Sequence, residues 1–320
     1  VVGGNKFLKD WGFETVIFSL LIGLFISNIF SIPKWLKEAL SSELFVKIGL
    51  VLLGTTVLFD DLLKAGALGL IQSCVVVFTV WNFCFWLCRK MKIDKEMSLM
   101  LSSAVSICGV SAAVATAGAI KGDKTKLSYV VSLVLVVAVP MILIMPGLAK
   151  LMGLPEDMAG AWIGGTIDTT GAVAATGAIY GEVALQTSTI VKFSQNVLLG
   201  VAAFLISIYW SYSKKEVTEE KPTLKVIWLR FPKFVLGFVA ASLVFSFCVA
   251  PEVVSDAKPI LKNIQGMWFA LAFMSIGLET DFKSLITSEN RRSTYAFLGA
   301  QAFNVVFTLF VAWILFGLIA

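Results

Sequence analysis

Apolar residues run along this chain in ten stretches, at 11–32, 43–60, 66–88, 97–120, 127–147, 158–180, 186–210, 234–250, 259–278 and 294–319, with polar breaks between them. A helix needs about 20 mostly apolar residues to cross the hydrocarbon core of a bilayer. Most of the stretches reach that length; the second and eighth are short. Lone strands are excluded, because their backbone groups would go unpaired in lipid. The pattern predicts an all-α polytopic membrane protein with about ten transmembrane helices. The longest polar stretch, SYSKKEVTEEKPTLKVIWLRFPK, divides the chain into a first helical bundle (1–210), a cytoplasmic linker (211–233) and a C-terminal helical bundle (234–320). The last part of the linker, LKVIWLRF, has the Trp and basic residues of a segment lying in the membrane interface.

Two of the stretches are interrupted. SICGVS at 106–111 and GGTIDTTG at 164–171 are poor in helix formers, and both lie in the first bundle. They lead into AAVATAGAI (112–120) and GAVAATGAI (171–179), identical at six of nine positions. Interrupted spans at corresponding positions point to a transporter's binding site. Small residues also let helices pack closely, which is the plainer reading. One full span separates the two interruptions, so as through-going spans they run parallel. An inverted repeat would require one of them to be a re-entrant hairpin. A second echo, LLGTTVLFDDLL (52–63) against SIGLETDFKSLI (275–286), shares Gly54/Gly277, Phe59/Phe282 and Leu62/Leu285 and would be inverted.

Composition sharpens the class. Of 320 residues, 58% are hydrophobic and 15% charged, where a soluble domain has about 45–50% and about 25%. The net charge of +5 is accounted for by loop Lys and Arg, without nucleic acid. Sixteen of the 26 Lys and Arg follow odd-numbered stretches, which places those loops in the cytoplasm and both termini outside. KGDKTK at 121–126 runs against this with three lysines. Trp11, Trp35, Trp86, Trp210 and Trp228 mark interfaces. The five cysteines fall inside apolar stretches as free thiols. The chain has no His, no metal cluster and no G-x-S-x-G, so neither an enzyme nor a cofactor is expected. It starts at Val1 with no signal peptide visible.

Asp168 is the residue that most needs explaining. A charge at mid-membrane costs at least about 2.5–3.5 kcal/mol, so such residues tend to be functional. It could also cap a half-helix starting near Thr170, a reading compatible with function. Lys192 is the second charge in apolar surroundings; it either snorkels to the interface or points inward with Asp168 as its partner. Gln195 lies three residues on, on the same helix face. Broken helices also expose N-termini, each with roughly half a positive charge and free N–H donors. Two such ends, at Gly109–Ser111 and Thr170–Ala172, could converge on an anion. Ser106, Cys108, Ser111, Thr166, Thr169, Thr170 and Gly171 complete the candidate substrate site. Asp60, Asp61, Glu279 and Asp281 are expected to face water. Gln72, Asn82, Gln265, Gln301 and Asn304 are expected to hydrogen-bond between helices.

The run SICGVSAAVATAG, then GGTIDTTGAVAATG, then Lys192 resembles the YeiH-type sulfate exporter family. The resemblance extends from about Phe13 to the C-terminus, with FVLGFV at 234–239 and the GL of SIGLETD; Ile107, Cys108 and Gly109 carry its most specific motif. It implies membership of the cation/proton antiporter and anion transporter superfamily. That in turn implies inverted repeats, a scaffold domain, and a core domain whose interrupted helices cross at the midplane. Family members usually carry one further N-terminal span, so a native N-terminus would be cytoplasmic. Where the family has a His-Glu pair, this chain has Asp168 and Thr169; where it has Lys-x-x-Arg, this chain has Lys192 and Gln195. The Asp168/Lys192 pair is similar to proton- or cation-coupling pairs of superfamily antiporters.

The expectation is a multi-pass protein of the bacterial inner membrane. Its function would be secondary active transport of a small anion, sulfate-, sulfonate- or carboxylate-like, coupled to a proton or cation through Asp168 and Lys192. A sodium/proton antiporter without an anionic substrate and a passive anion channel are the alternatives. The expected partners are a small inorganic or organic anion, H+ or Na+, the lipid bilayer, and a second copy in a homodimer.

Overall fold

The computed structural model describes residues 15–30, 33, 41–214, 225–279 and 291–319. Trp11, Trp35, Asp281, the middle of the 211–233 linker, and the Phe282 and Leu285 positions of the second echo lie outside the described residues. The regular structure among the described residues is entirely helical: α1 (Thr15–Ile29), α2 (Ser42–Gly54), α3 (Phe59–Lys90), α4 (Lys95–Ser103), α5 (Val110–Ile120), α6 (Lys124–Leu151), α7 (Glu156–Thr166), α8 (Thr170–Tyr180), α9 (Glu182–Lys214), α10 (Lys225–Arg230), α11 (Phe234–Phe247), α12 (Pro251–Glu279) and α13 (Arg291–Ala312). One π turn, Ala104–Cys108, extends α4, and a second, Trp313–Ile319, extends α13.

By length and composition, α3, α6, α9 up to Trp210, and α13 with its π turn can cross a membrane; α1, α5 and α11 are apolar but shorter. Their outer faces carry exposed large apolar residues such as Phe78, Ile144, Leu205 and Val306, as lipid-facing helices must.

The stretches at 97–120 and 158–180 are not through-going spans; both fold back on themselves. In the first, α4 and α5 pack together, and Lys126, just beyond α5, donates to Asp94 Oδ1 (2.7 Å) at the start of α4. In the second, Glu156 at the start of α7 accepts from the N–H groups of Val183 and Ala184 (2.9 and 3.3 Å), just past α8. The Tyr180 hydroxyl at the end of α8 likewise donates to the Leu154 carbonyl (2.5 Å). The two hairpins open at opposite ends of α6, whose 28 residues separate them by about 40 Å. Each arm is 11 to 14 residues long, about half a membrane's thickness. The tips therefore meet near the middle.

Local chemistry fixes these turns. Asp94 caps α4 by accepting from Met97 N (3.1 Å), and Asp123 caps α6 by accepting from Thr125 N and Lys126 N (2.8 and 2.9 Å). The bond from the Lys126 N–H, helped by that from Thr125, holds the Asp123 carboxyl below its ordinary range. Glycines set the seam between the second hairpin and α9. A side chain at Gly160 would strike Ala184 and Thr187, one at Gly164 would strike the Ser188 backbone, and one at Gly177 would strike Leu185.

The helices group across the linker. α1 and α2 pack on α12, and α11 packs on α2. α3 packs on α9 and α13, which together surround the two hairpins. The groups touch mainly where α8 meets α1, α2 and α12, and where α11 meets α3.

Candidate functional site

The two tips are built differently. In the first hairpin the helix widens into the π turn and then reverses at Gly109, with φ +51° and ψ −110°. L side chains rarely adopt that conformation, and a Cβ there would stand 2.6 Å from Val134. In the second, Ile167 and Thr169 have extended dihedrals and the chain bends at Asp168 between α7 and α8. The tips touch: the Cβ position of Gly109 lies 3.3 Å from Asp168 Cβ and from Thr169 Cγ2.

A helix broken in this way exposes two kinds of end. The C-terminal ends need donors, because their last carbonyls have no partner within the helix. Lys192, at the middle of α9 and 1% exposed, supplies them to both tips. Its ammonium donates to the Ile107 carbonyl (2.6 Å), to the Ile167 carbonyl (2.8 Å) and to Gln195 Oε1 (3.0 Å). Gln195 donates to the Gly165 carbonyl (3.0 Å). From α13, Asn304 donates to the carbonyls of Val105 and Thr166 (3.2 and 3.1 Å), and Gln301 to that of Thr166 (3.0 Å). From α3, Gln72 donates to the Ala161 carbonyl (2.7 Å).

The N-terminal ends of α5 and α8 face a cavity of about 830 Å³. Cys108, Ser111, Thr169, Thr170, Gly171 and Asn196 form its inner wall; Glu43, Lys47, Lys233 and Glu279 stand farther out on its lining. Lys47 pairs with Glu43 (2.7 Å), and Glu279 accepts from the Ser42 hydroxyl (2.7 Å). The end of the linker, Leu229 and residues 231–234, forms part of the wall. Thr169 caps α8 by accepting from Ala172 N (3.3 Å). Asn196 donates to Thr170 Oγ1 (3.2 Å), while its Oδ1 has no partner among the described residues.

Asp168 sits directly behind these N-termini. It is 2% exposed and does not line the cavity, and neither carboxyl oxygen has a hydrogen-bond partner among the described residues. The sequence expectations are corrected in two respects. The α8 cap is Thr169, not Asp168. Lys192 does point inward, but its partners are backbone carbonyls and Gln195, and it forms no ion pair with Asp168.

Five of the sequence-predicted site residues, Cys108, Ser111, Thr169, Thr170 and Gly171, meet at the cavity. Gly109, Lys192 and Gln195 instead shape the crossing. Ser106 is turned back along its own helix, donating to the Ser102 carbonyl (2.7 Å), and Thr166 is buried with a hydroxyl that has no partner among the described residues. Sequence reasoning missed the cavity roles of Asn196, Lys47, Lys233 and Glu279. The signal for Asn196 was its place one turn beyond Lys192, on a helix already carrying a buried charge.

A family model described as Conserved hypothetical protein 698 matches residues 4–296. A UPF0324 membrane protein of Rhodopirellula baltica is 39% identical over 99% of this chain and 60% of its own length. One from Nitratidesulfovibrio vulgaris is 38% identical over 100% of this chain and 57% of its own. One from Bacillus anthracis is 26% identical over 93% of this chain and 84% of its own. The chain thus spans about 60% of the length of the first two relatives. No solved structure matches the chain.

Proposed function

We propose a transport function from this premise: the chain belongs to the conserved hypothetical protein 698 family of UPF0324 membrane proteins, the same family as the YeiH-type exporters its motifs resemble. It is a multi-pass membrane protein. Our reading is a secondary transporter of a small anion, with the anion held between the N-termini of α5 and α8.

One observation carries the reading. Two half-helix N-termini, with Ser111, Thr169 and Thr170 beside them, face one cavity at the middle of the bundle. Such ends bring uncommitted N–H donors and about half a positive charge each. A monotopic or structural role does not account for hairpins that bury their tips together. The first hairpin with α6 and the second with α9 are read as two inverted copies, with AAVATAGAI and GAVAATGAI as their return arms. Asp168 is the coupling group, reached from the cavity wall through Thr169. Lys192 is read as the brace of the crossing.

A thermal-shift series on the purified protein tests this. A ligand that binds only the folded form stabilises it by about 2.7 kcal/mol at 100 times its dissociation constant. At least one of sulfate, methanesulfonate, acetate and nitrate is expected to raise the unfolding temperature with concentration. The same anion is expected to slow thiol labelling of Cys108, the cysteine on the cavity wall. A panel with no effect on either readout removes the anion reading.

A sodium/proton antiporter is the second reading. It is favoured by the partnerless oxygens at the crossing: both of Asp168, Thr166 Oγ1 and Gln301 Oε1. Sodium-driven proton flux in liposomes free of transportable anions would select it.

A further inference from the structure

We infer that the cavity takes a singly charged anion together with one proton, and that the proton goes to Asp168. This rests on the anion reading above. It follows from the charges at the crossing.

Four half-helix ends meet there. Each N-terminus carries roughly half a positive charge and each C-terminus roughly half a negative one. The two C-terminal ends are answered by Lys192, whose single charge touches the carbonyls of Ile107 and Ile167. The two N-terminal ends then call for one negative charge. The four ionic side chains of the cavity lining add nothing net, since Glu43 and Glu279 offset Lys47 and Lys233. When Asp168 is ionised, its own carboxylate supplies the missing charge from behind. When an anion sits in the cavity, the anion supplies it, and the carboxylate becomes a second negative charge buried without a donor. An uncompensated buried charge is costly, so the anion and a proton arrive together. The step is balanced: carboxylate, proton and anion become carboxylic acid and bound anion, and the only bond formed is O–H. A divalent anion brings a second charge that no group at the crossing answers.

The site does not rest on helix ends alone. Asn196 is 4% exposed, stands on the cavity wall against Thr170, and keeps one amide oxygen partnerless. The titratable and charged neighbours of Asp168 are Lys192 from α9 and Cys84 from α3, while Cys108 of the π turn faces Lys192 and the cavity. Glu43 and Lys47 reach the cavity from α2 and Glu279 from α12. The residues that α6, α7 and α13 bring to the crossing, Val134, Thr166, Gln301 and Asn304, are uncharged.

The test uses the purified protein in weak buffer with a pH indicator. Methanesulfonate and nitrate are the probes, because neither titrates near neutrality. The expected result is uptake of about one proton per anion bound, with affinity falling about tenfold per pH unit above the Asp168 titration. In Asp168→Asn the uptake should vanish and the affinity should lose its pH dependence. Sulfate should bind more weakly than methanesulfonate. Anion binding without proton uptake in the native protein overturns the inference while leaving the anion reading intact. So does uptake that persists in Asp168→Asn, or tighter binding of sulfate. If that variant does not fold, the pH slope of the native protein decides. If no probe binds at all, the anion reading and this inference fall together.

Discussion

At the scale of single residues, the crossing holds a buried lysine and a buried aspartate with opposite kinds of surroundings. Lys192 makes three hydrogen bonds and closes the carbonyl ends of both hairpins. Asp168 makes none. Their substitutions should therefore diverge. Lys192→Met leaves the Ile107 and Ile167 carbonyls without their ammonium donor, each such buried group costing about 1–3 kcal/mol, partly offset by relief of burying the ammonium. We expect a net loss of about 2–4 kcal/mol in detergent unfolding. Asp168→Asn removes no hydrogen bond among the described residues and is expected to cost less than Lys192→Met. Equal losses from the two would contradict this assignment. The sequence made both residues conspicuous, because charges are rare in apolar stretches. It could not show their partners. Counting charged side chains pairs Lys192 with Asp168, whereas a broken helix also offers carbonyl ends, and carbonyls leave no trace in a sequence. The amides that share this work, Gln72, Gln301 and Asn304, were legible only as interhelical hydrogen-bonding residues, which they are.

At the scale of elements, the interruptions at 106–111 and 164–171 were legible, because glycine, serine and threonine clusters in apolar runs weaken a helix wherever they fall. The folding back was not. A stretch of 24 apolar residues looks the same whether it crosses once or turns at its middle; the difference lies in whether its ends meet. Here they meet through Lys126 with Asp94 and through Glu156 with the start of α9. The seam between α7 and α9 carries a further prediction. Gly164 lies directly against the Ser188 backbone, one turn from the point where Lys192 reaches Ile167. Gly164→Val has no flexible side-chain end to displace there, only backbone, so α7 must move away from α9. Overpacking of this kind costs about 1–3 kcal/mol. It should also weaken the bond from Lys192 to Ile167, so anion-induced stabilisation should fall along with the unfolding temperature. A variant that unfolds earlier but keeps the full anion response would separate the seam from the site.

At the scale of the whole molecule, the hairpins change which loops share a side. Because α4 and α5 return to the side they left, KGDKTK joins the ends of α3 and α9 and the start of α13, where Tyr129 near the base of α6 meets Thr294 (2.6 Å). Lys121, Lys124 and Lys126 then lie with Arg89, Lys90 and Lys92, and the one loop that opposed the charge asymmetry comes to support it. Lys150 moves to the opposite side with the second hairpin. Cytoplasmic loops are the ones enriched in Lys and Arg, so this face is expected in the cytoplasm. The cavity lining runs from Thr170 to Ser42, Lys233 and Glu279, on the face expected in the cytoplasm, so the cavity is expected to open to that side. Single cysteines at Gly122 and Gly153 test the arrangement in intact cells, with the native cysteines replaced. A side chain at Gly122 meets the Ile120 side chain at 3.2 Å, which must give by a few tenths of an ångström; Gly153 has open space but φ +64°, so Lys150→Cys nearby is the safer reporter on that side. An impermeant thiol reagent applied outside should label the position near 150 and spare 122. A through-going first interrupted stretch would put residue 122 on the opposite side from Lys90. Labelling of 122 together with protection of Lys90→Cys would therefore mean that α4 and α5 do not form a hairpin in the membrane.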